Sequence, residues 1–332
     1  MKRRALVVLL LAALFAAACG GSDSESTDSA GGADNAESGG IDESKETITL
    51  VVNPWSASRL NVEVAKKIIE TELGNPVEIT EVDENDAMFT GLADGTLDAV
   101  LEVWPSGVTD AETAFIDDGS VNRIGDLGAI GKIGWFVPKY VIDENPDLAS
   151  WEGFKDPANA ALFATAETGD NGRFLGTDPS YSQYDEQIIE NLGLPLEVQF
   201  SGSEPATVAE LDARSAAGEP IVLYWWTPTA AVAKYDLVNV ELPAYNDDCG
   251  ASAAAGDGGV DCDYPEDVLF KAASAKLADK DPAVYAFLEN FTITTEDQLS
   301  MLPAMEIDGE DPAKVAADWV DANADTWKAW LP

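Results

Sequence analysis

Histidine is absent from all 332 residues. That absence excludes Ser-His and Cys-His nucleophile pairs and most zinc sites. Glycines such as Gly172 and Gly176 form neither a dinucleotide nor a P-loop pattern, so the usual nucleotide-binding frames are missing too. Cations are scarce: 19 Lys and Arg stand against 61 Asp and Glu, a net charge of −42. Such a field repels nucleic acid and anionic lipid and favours solubility. Carboxylates are plentiful, so a glycosidase pair is the one enzyme reading left, with Glu102 beside Trp104 as its best-placed member. With 61 acidic residues such a pair arises by chance, and the expectation is a non-enzyme without metal or cofactor.

Long apolar runs are also scarce. Ala5 to Ala18 follows the cationic Met1-Lys2-Arg3-Arg4 and is too short to span a bilayer comfortably, so 1–18 reads as a signal segment. It ends in Ala16-Ala17-Ala18-Cys19-Gly20, which resembles a bacterial lipobox and implies cleavage before Cys19 and acylation of its thiol. Residues 19–46 are rich in Gly, Ser, Asp and Glu and read as a disordered acidic tether. Of three cysteines, Cys249 and Cys262 remain as an even pair in an exported chain, which favours a disulfide closing a loop with little reason to order itself.

The folded part alternates strand and helix. Glu46 to Val52 predicts a first buried strand, followed by a helix over 59–73 with Ser58 as N-cap and Gly74 as the stop. Strands over 77–82 and 97–103 enclose a short helix closing at Gly95, which argues for a parallel, doubly wound lobe. Ile130 to Tyr140 reads as an extended crossing segment. Beyond it, Leu148 to Phe154 reads as helix, Ala161 to Ala164 as strand and Thr168 to Ser182 as a long loop. A helix over 185–192, a strand over 196–200, a helix over 207–217 and a strand over 221–226 complete a second alternating block. Val268 to Lys276, Pro282 to Asn290 and Pro312 to Trp330 read as helices. The last carries Trp319, Trp327 and Trp330 on one core-facing stripe.

Two apolar runs end alike. Val100 to Trp104 stops at Pro105, and Leu223 to Trp226 stops at Thr227-Pro228, so each reads as a strand presenting a tryptophan at its C-terminal mouth. Ligands of open α/β sheets bind at such mouths. Trp55 and Tyr181 also lie outside core-facing stripes, whereas Trp225 should point away from Trp226 and pack. A quaternary ammonium cannot donate hydrogen bonds, but ring faces within about 6 Å attract it at roughly 0.5 to 2 kcal/mol each.

Leu92 to Trp104, Gly134 to Tyr140, Trp226-Thr227-Pro228 and Ala317 to Asn323 with Trp327 together resemble the substrate-binding proteins of glycine betaine, proline betaine and choline ABC transporters. The resemblance implies a two-lobed periplasmic-binding-protein-like α/β fold, each lobe a doubly wound sheet flanked by helices, with the ligand in the cleft. Lobe 1 would comprise 47–135 and 238–332, and lobe 2 would comprise 136–237. It further implies a monomeric extracytoplasmic receptor, anchored at the membrane through lipid, that closes on a quaternary ammonium solute and presents it to permease subunits. Carried over by motif, Trp104 and Trp226 would be cage walls, with Tyr181 and Trp55 completing them. Ala57 stands where the choline-binding branch has aspartate, and Thr229 where many betaine binders have histidine, so glycine betaine is the expected solute. Its carboxylate would be held by the backbone at Ser182, the Thr229 hydroxyl and Arg59. The alternatives are choline, carnitine or a sugar in the same fold.

Overall fold

The computed structural model describes residues 41, 42 and 45–332. The expected signal segment, Cys19 and nearly all of the acidic tether lie outside the described residues. Nine strands form one mixed sheet: β1 (Ile48–Val52), β2 (Val77–Glu81), β3 (Ala99–Val103), β4 (Val121–Pro138), β5 (Gly172–Gly176), β6 (Leu196–Phe200), β7 (Val222–Thr227), β8 (Leu237–Asn239) and β9 (Glu266–Ser274). They run in the order β2-β1-β3-β9-β4-β7-β5-β6, with β8 beside β4.

The order separates two halves with helices on both. In the first, β1 is parallel to β2 and β3, and β9 joins antiparallel to β3. In the second, β5 is parallel to β6 and β7. The 18-residue β4 belongs to both. It pairs with β9 from Val121 to Lys132, then with β7 from Lys132 to Phe136 and with β8 from Phe136 to Pro138. The expected crossing segment is therefore a ladder strand that begins nine residues earlier, at Val121 rather than Ile130. Parallel strands buried on both faces require apolar runs, and every residue of β3 is buried.

The first helix spans Ser56–Ile68 and continues as a wider turn to Leu73, ending at Gly74 in the left-handed conformation. Ser58 is not its cap, because its Oγ accepts from the Asn53 N–H at 3.0 Å from inside the helix. Helices Asp110–Asp117 and Thr295–Glu306 were not expected. Each opens on a reciprocal capping box, Thr109 with Glu112 and Thr294 with Asp297.

Four other segments differ from the sequence reading; the first, expected as a helix over Leu148 to Phe154, is two 3-10 turns, Pro146–Ala149 and Trp151–Lys155, split by the extended Ser150. Val268 to Lys276 is not helical: Glu266–Ser274 is β9, wedged between β3 and β4. Its short Ala-rich apolar run carries no periodicity that separates strand from helix. Lys271, buried in the middle of it, turns its ammonium onto the carbonyls of Leu288, Glu289 and Phe291 at the end of helix Pro282–Asn290. Burial lowers its pKa to about 8. The strand expected at Ala161–Ala164 is a short 3-10 turn, and the true strand, β5, lies inside the expected loop. Gly172 masks it by composition yet serves packing, since a Cβ there would stand 2.4 Å from the Ala160 carbonyl oxygen. The terminal helix breaks at Asn323, whose side chain bonds the Trp319 carbonyl at 2.8 Å. Trp319 and Trp330 nevertheless stack, 6.1 Å apart, with Phe287 and Phe291 against Trp330.

Cys249 and Cys262 form a disulfide with S–S 2.12 Å and Cα atoms 6.3 Å apart. Part of the loop between them is ordered as helix Asp247–Ala255, which Asn246 caps by accepting from the Cys249 N–H. Alanine at 251 and 253–255 supplies helix propensity that the Gly and Asp around it obscured. In the chain-entropy account a loop of this length contributes about 3 kcal/mol. Replacing both cysteines by serine is expected to lower the unfolding free energy by about that amount, read as an earlier guanidinium midpoint; an unchanged midpoint would contradict it.

Candidate functional site

A cavity lies between the two halves, lined by Pro54, Trp55, Glu84, Trp104, Ile133, Ser180, Tyr181, Ser182, Tyr224 and Trp226. Trp55 ends the turn after β1 and Trp104 follows β3, so both come from the first half. Tyr181 lies in the turn after β5, and Tyr224 and Trp226 lie on β7, in the second half. The Trp55 and Tyr181 rings meet edge to face at 5.5 Å, and Tyr181 meets Trp226 likewise at 5.7 Å. These three rings therefore cross the gap between the halves. Tyr181 also donates its hydroxyl to the Pro54 carbonyl at 2.7 Å, and burial followed by the Glu204 carboxylate raises its pKa.

One carboxylate holds both cavity-lining tryptophans of the first half. Glu102, fully buried on β3, accepts from Trp55 Nε1 at 2.7 Å and Trp104 Nε1 at 3.0 Å on the same oxygen. Its other oxygen accepts from Asn61 Nδ2 at 2.6 Å and Gln298 Nε2 at 3.2 Å. Burial raises its pKa to about 7, against the pull of these four donors. The indole N–H groups thus face away from the cavity. Gly131 on β4 backs the Trp104 ring so closely that a Cβ would stand 2.2 Å from Cζ3. A glycine inside a strand marks such an approach.

The second half repeats the device. Asp185, buried, accepts from Trp135 Nε1 at 2.6 Å and the Tyr264 hydroxyl at 3.1 Å. Burial raises its pKa to about 7. Tyr264 in turn meets Tyr224 edge to face at 6.1 Å, bracing that wall from behind.

Five of the seven residues expected at a solute site line this cavity: Trp55, Trp104, Tyr181, Ser182 and Trp226. Thr229 does not. It is buried, and its hydroxyl accepts from Trp225 Nε1 at 2.8 Å and donates to the Trp226 carbonyl. Arg59 does not either: its guanidinium pairs with Glu81 at 2.8 Å in a neighbouring groove. Trp225 is a packing residue, fully buried. Its ring does not turn away, however, but stacks on Trp226 at 4.4 Å.

Sequence reasoning missed Tyr224, although it lies two residues before Trp226 and so on the same face of β7. It also missed Glu84, partly buried at the cavity edge, whose Oε1 accepts the Trp104 backbone N–H at 3.1 Å. Burial raises the Glu84 pKa well above normal, with the Glu102, Glu112 and Asp267 carboxylates adding to it. No local pattern marks this residue among its acidic neighbours.

Residues 46–322 match the family described as the substrate binding domain of the ABC-type glycine betaine transport system. The chain belongs to this family. A trimethylamine N-oxide-binding protein of Pelagibacter ubique (strain HTCC1062) is 27% identical over 290 residues, covering 86% of this chain and 90% of the relative. Among solved structures, the glycine betaine and L-proline transporter binding protein of Borrelia burgdorferi superposes with a TM-score of 0.67 at 20% identity, covering 86% of this chain and 97% of that one. Lactococcal OpuAC, in its closed conformation with glycine betaine, gives the same TM-score and identity over 87% of this chain and all of its own. At these identities the structures support the fold, a two-lobed binding protein with a mixed sheet and flanking helices. Proteins of this family are the substrate-binding components of ABC importers. Among the described residues, no helix is long and apolar enough to cross a membrane.

For this family member, Glu102→Ala takes the carboxylate from four buried donors, of which only Gln298 Nε2 keeps another acceptor, Asn61 Oδ1 at 3.4 Å. Each donor left unpaired costs about 1 to 3 kcal/mol, so a loss of at least about 3 kcal/mol in chemical denaturation is expected. A red-shifted tryptophan emission should accompany it as Trp55 and Trp104 loosen. Unchanged stability and emission would remove Glu102 from this role.

Proposed function

We propose that this chain is an extracytoplasmic ABC-importer receptor for a small trimethylammonium solute, held in a cage made by Trp55, Trp104, Tyr181, Tyr224 and Trp226. The observation that carries this reading is the gathering of five aromatic side chains from both halves around one cavity. Ring faces attract a cation that cannot donate hydrogen bonds, and the Glu102 and Glu84 carboxyl groups add negative potential where ionised.

The polar end of the solute meets Glu84, Ser180 and Ser182. Neither Thr229 nor Arg59 is at hand to hold a betaine carboxylate, and among the described residues no Lys or Arg lines the cavity. A full carboxylate would also lie close to Glu84. Glu84, whose pKa burial and neighbouring carboxylates raise well above the ordinary value, can when protonated donate one strong hydrogen bond to a compact acceptor. Trimethylamine N-oxide fits this better than glycine betaine, and choline, whose hydroxyl prefers an ionised partner, fits less well. The relative named for trimethylamine N-oxide agrees with this choice.

We place the hinge where β4 passes from β9 to β7, at Lys132, and where the chain returns to the first half at the start of β9, near Glu266. A solute touching Trp104 and Trp226 together binds the closed cleft better than the open one and shifts the population toward it. Lipidation at Cys19 and a monomeric receptor facing the permease belong to the same proposal.

Titration of tryptophan fluorescence with trimethylamine N-oxide, glycine betaine, choline and a sugar panel tests the reading. Trimethylamine N-oxide should bind tightest, and saturation by sugars but by none of the methylated amines would overturn the proposal. Trp226→Ala should weaken binding at least tenfold, or about 1.4 kcal/mol. Glu84→Gln, which still donates, should bind trimethylamine N-oxide far better than Glu84→Leu. Wild-type affinity for it should be kept in the acid range and fall as pH rises through the raised pKa of Glu84.

A further inference from the structure

Outside the cavity, two carboxylates reach across between the halves in opposite directions. Helix Ser56–Ile68 begins without a side-chain cap of its own, since Trp55 occupies the cap position. The missing acceptor comes from the other half. Glu204, the first residue of helix Glu204–Ala217, accepts the Ser56 N–H at 3.0 Å and the Ser56 hydroxyl at 2.8 Å. The converse contact is made by Glu306, the last residue of helix Thr295–Glu306 in the first half. It accepts the Ala230 N–H at 2.7 Å, at the start of a helical turn that Thr229 leaves without a side-chain cap bond. Each half thus supplies an acceptor to an unpaired N–H group of the other.

Both contacts sit directly behind cavity walls. Ser56 follows Trp55, and Ala230 closes the turn that leaves Trp226. We propose that Glu204 and Glu306 form a reciprocal latch that exists only in the closed cleft and sets solute affinity without touching the solute. The latch rests on the receptor reading above and adds to it two affinity-determining residues outside the cage.

The latch carries a proton linkage. The groove at Glu204 and Glu306 also holds Arg59, Glu81 and Asp212. Arg59 is engaged by Glu81, and Asp212 binds Lys234 and the Tyr235 hydroxyl. The Tyr181 hydroxyl, which feels the Glu204 charge, is committed to Pro54. Among the described residues no ion pair involves Glu204 or Glu306, and Glu306 Oε1 is buried without a partner. Burial raises the Glu204 pKa to about 7. It raises that of Glu306 to about 8, with the Glu204 charge adding to the effect. Opening returns both groups to water and to the ordinary value of 4.5. A carboxyl whose pKa is higher in the closed form favours closure fully below the open-form value, and the advantage is lost as pH rises through the raised one. Closure near pH 7 therefore takes up protons.

Calorimetric titration of the full chain with trimethylamine N-oxide, glycine betaine and choline, in buffers of different ionisation enthalpy from pH 6 to 9, tests this. Wild type should take up protons on binding and lose affinity as pH rises. In E204Q, E306Q and the double variant, which keep an acceptor but cannot ionise, both effects should shrink. Glu204→Ala and Glu306→Ala should weaken binding at least fivefold through faster release, with the association rate unchanged. Proton uptake and pH dependence equal to wild type in the Gln variants, together with wild-type release rates in the Ala variants, would overturn the latch and leave the receptor reading standing. A wild-type chain that binds none of the three solutes would overturn both.

Discussion

The buried carboxylate of Glu102 is the contact on which the rest of the site depends. An ionised group in an apolar interior is expensive unless surrounded by donors, and among the described residues no cation pairs with Glu102. The relief comes from four N–H groups: three on other segments, namely the turn after β1, the helix that follows it, and helix Thr295–Glu306, and the fourth on Trp104 at the end of its own strand. Because two of those donors are indoles, satisfying the charge fixes two ring planes. The price of burying Glu102 is thereby converted into two fixed aromatic walls, which in the proposed site a solute need not order on arrival.

Placement of those walls follows from β4. Its pairing passes from β9 to β7 at Lys132, and Ile133 sits opposite Trp226 just beyond that point. One continuous strand therefore holds the second half's tryptophan near the strand mouth of the first. Asp185, with Trp135 and Tyr264, gives the second half its own buried anchor. In our reading the two anchored walls move as rigid units, and what varies is the gap between them, bridged by Tyr181, Ser56 and Ala230.

Much of this was legible in the sequence where period and punctuation agreed. The apolar runs ending at Pro105 and Pro228 identified strands with aromatics at their mouths, and left-handed glycines at 74, 95 and 218 ended helices as expected. Legibility failed where a segment's environment lies far along the chain. The run around Lys271 is a strand only because β3 and β4 flank it, and its charge is tolerated only because a helix end 17 to 20 residues away offers carbonyls. The β5 segment hid behind glycines needed for close packing. Around the cavity, the rings stood out because aromatics are rare and Glu102 only by its place beside Trp104, whereas Glu84 and, outside the cavity, Glu204 are indistinguishable by type from dozens of exposed acids. Arg59 and Thr229 were chosen for chemistry that their neighbours had already claimed.

The acidity of the chain thus has two characters. Most carboxylates are solvated and keep the molecule soluble, whereas a few buried ones hold rings, donors and the two halves in register. The most direct measurement of the central claim is a crystal structure of the chain soaked with trimethylamine N-oxide. The account predicts the nitrogen within about 6 Å of the Trp55, Trp104, Tyr181 and Trp226 ring centroids, with the oxygen hydrogen-bonded to Glu84 and both indole N–H groups of the first half still on Glu102. A solute seated elsewhere, or with its methyl groups turned away from those rings, would contradict it.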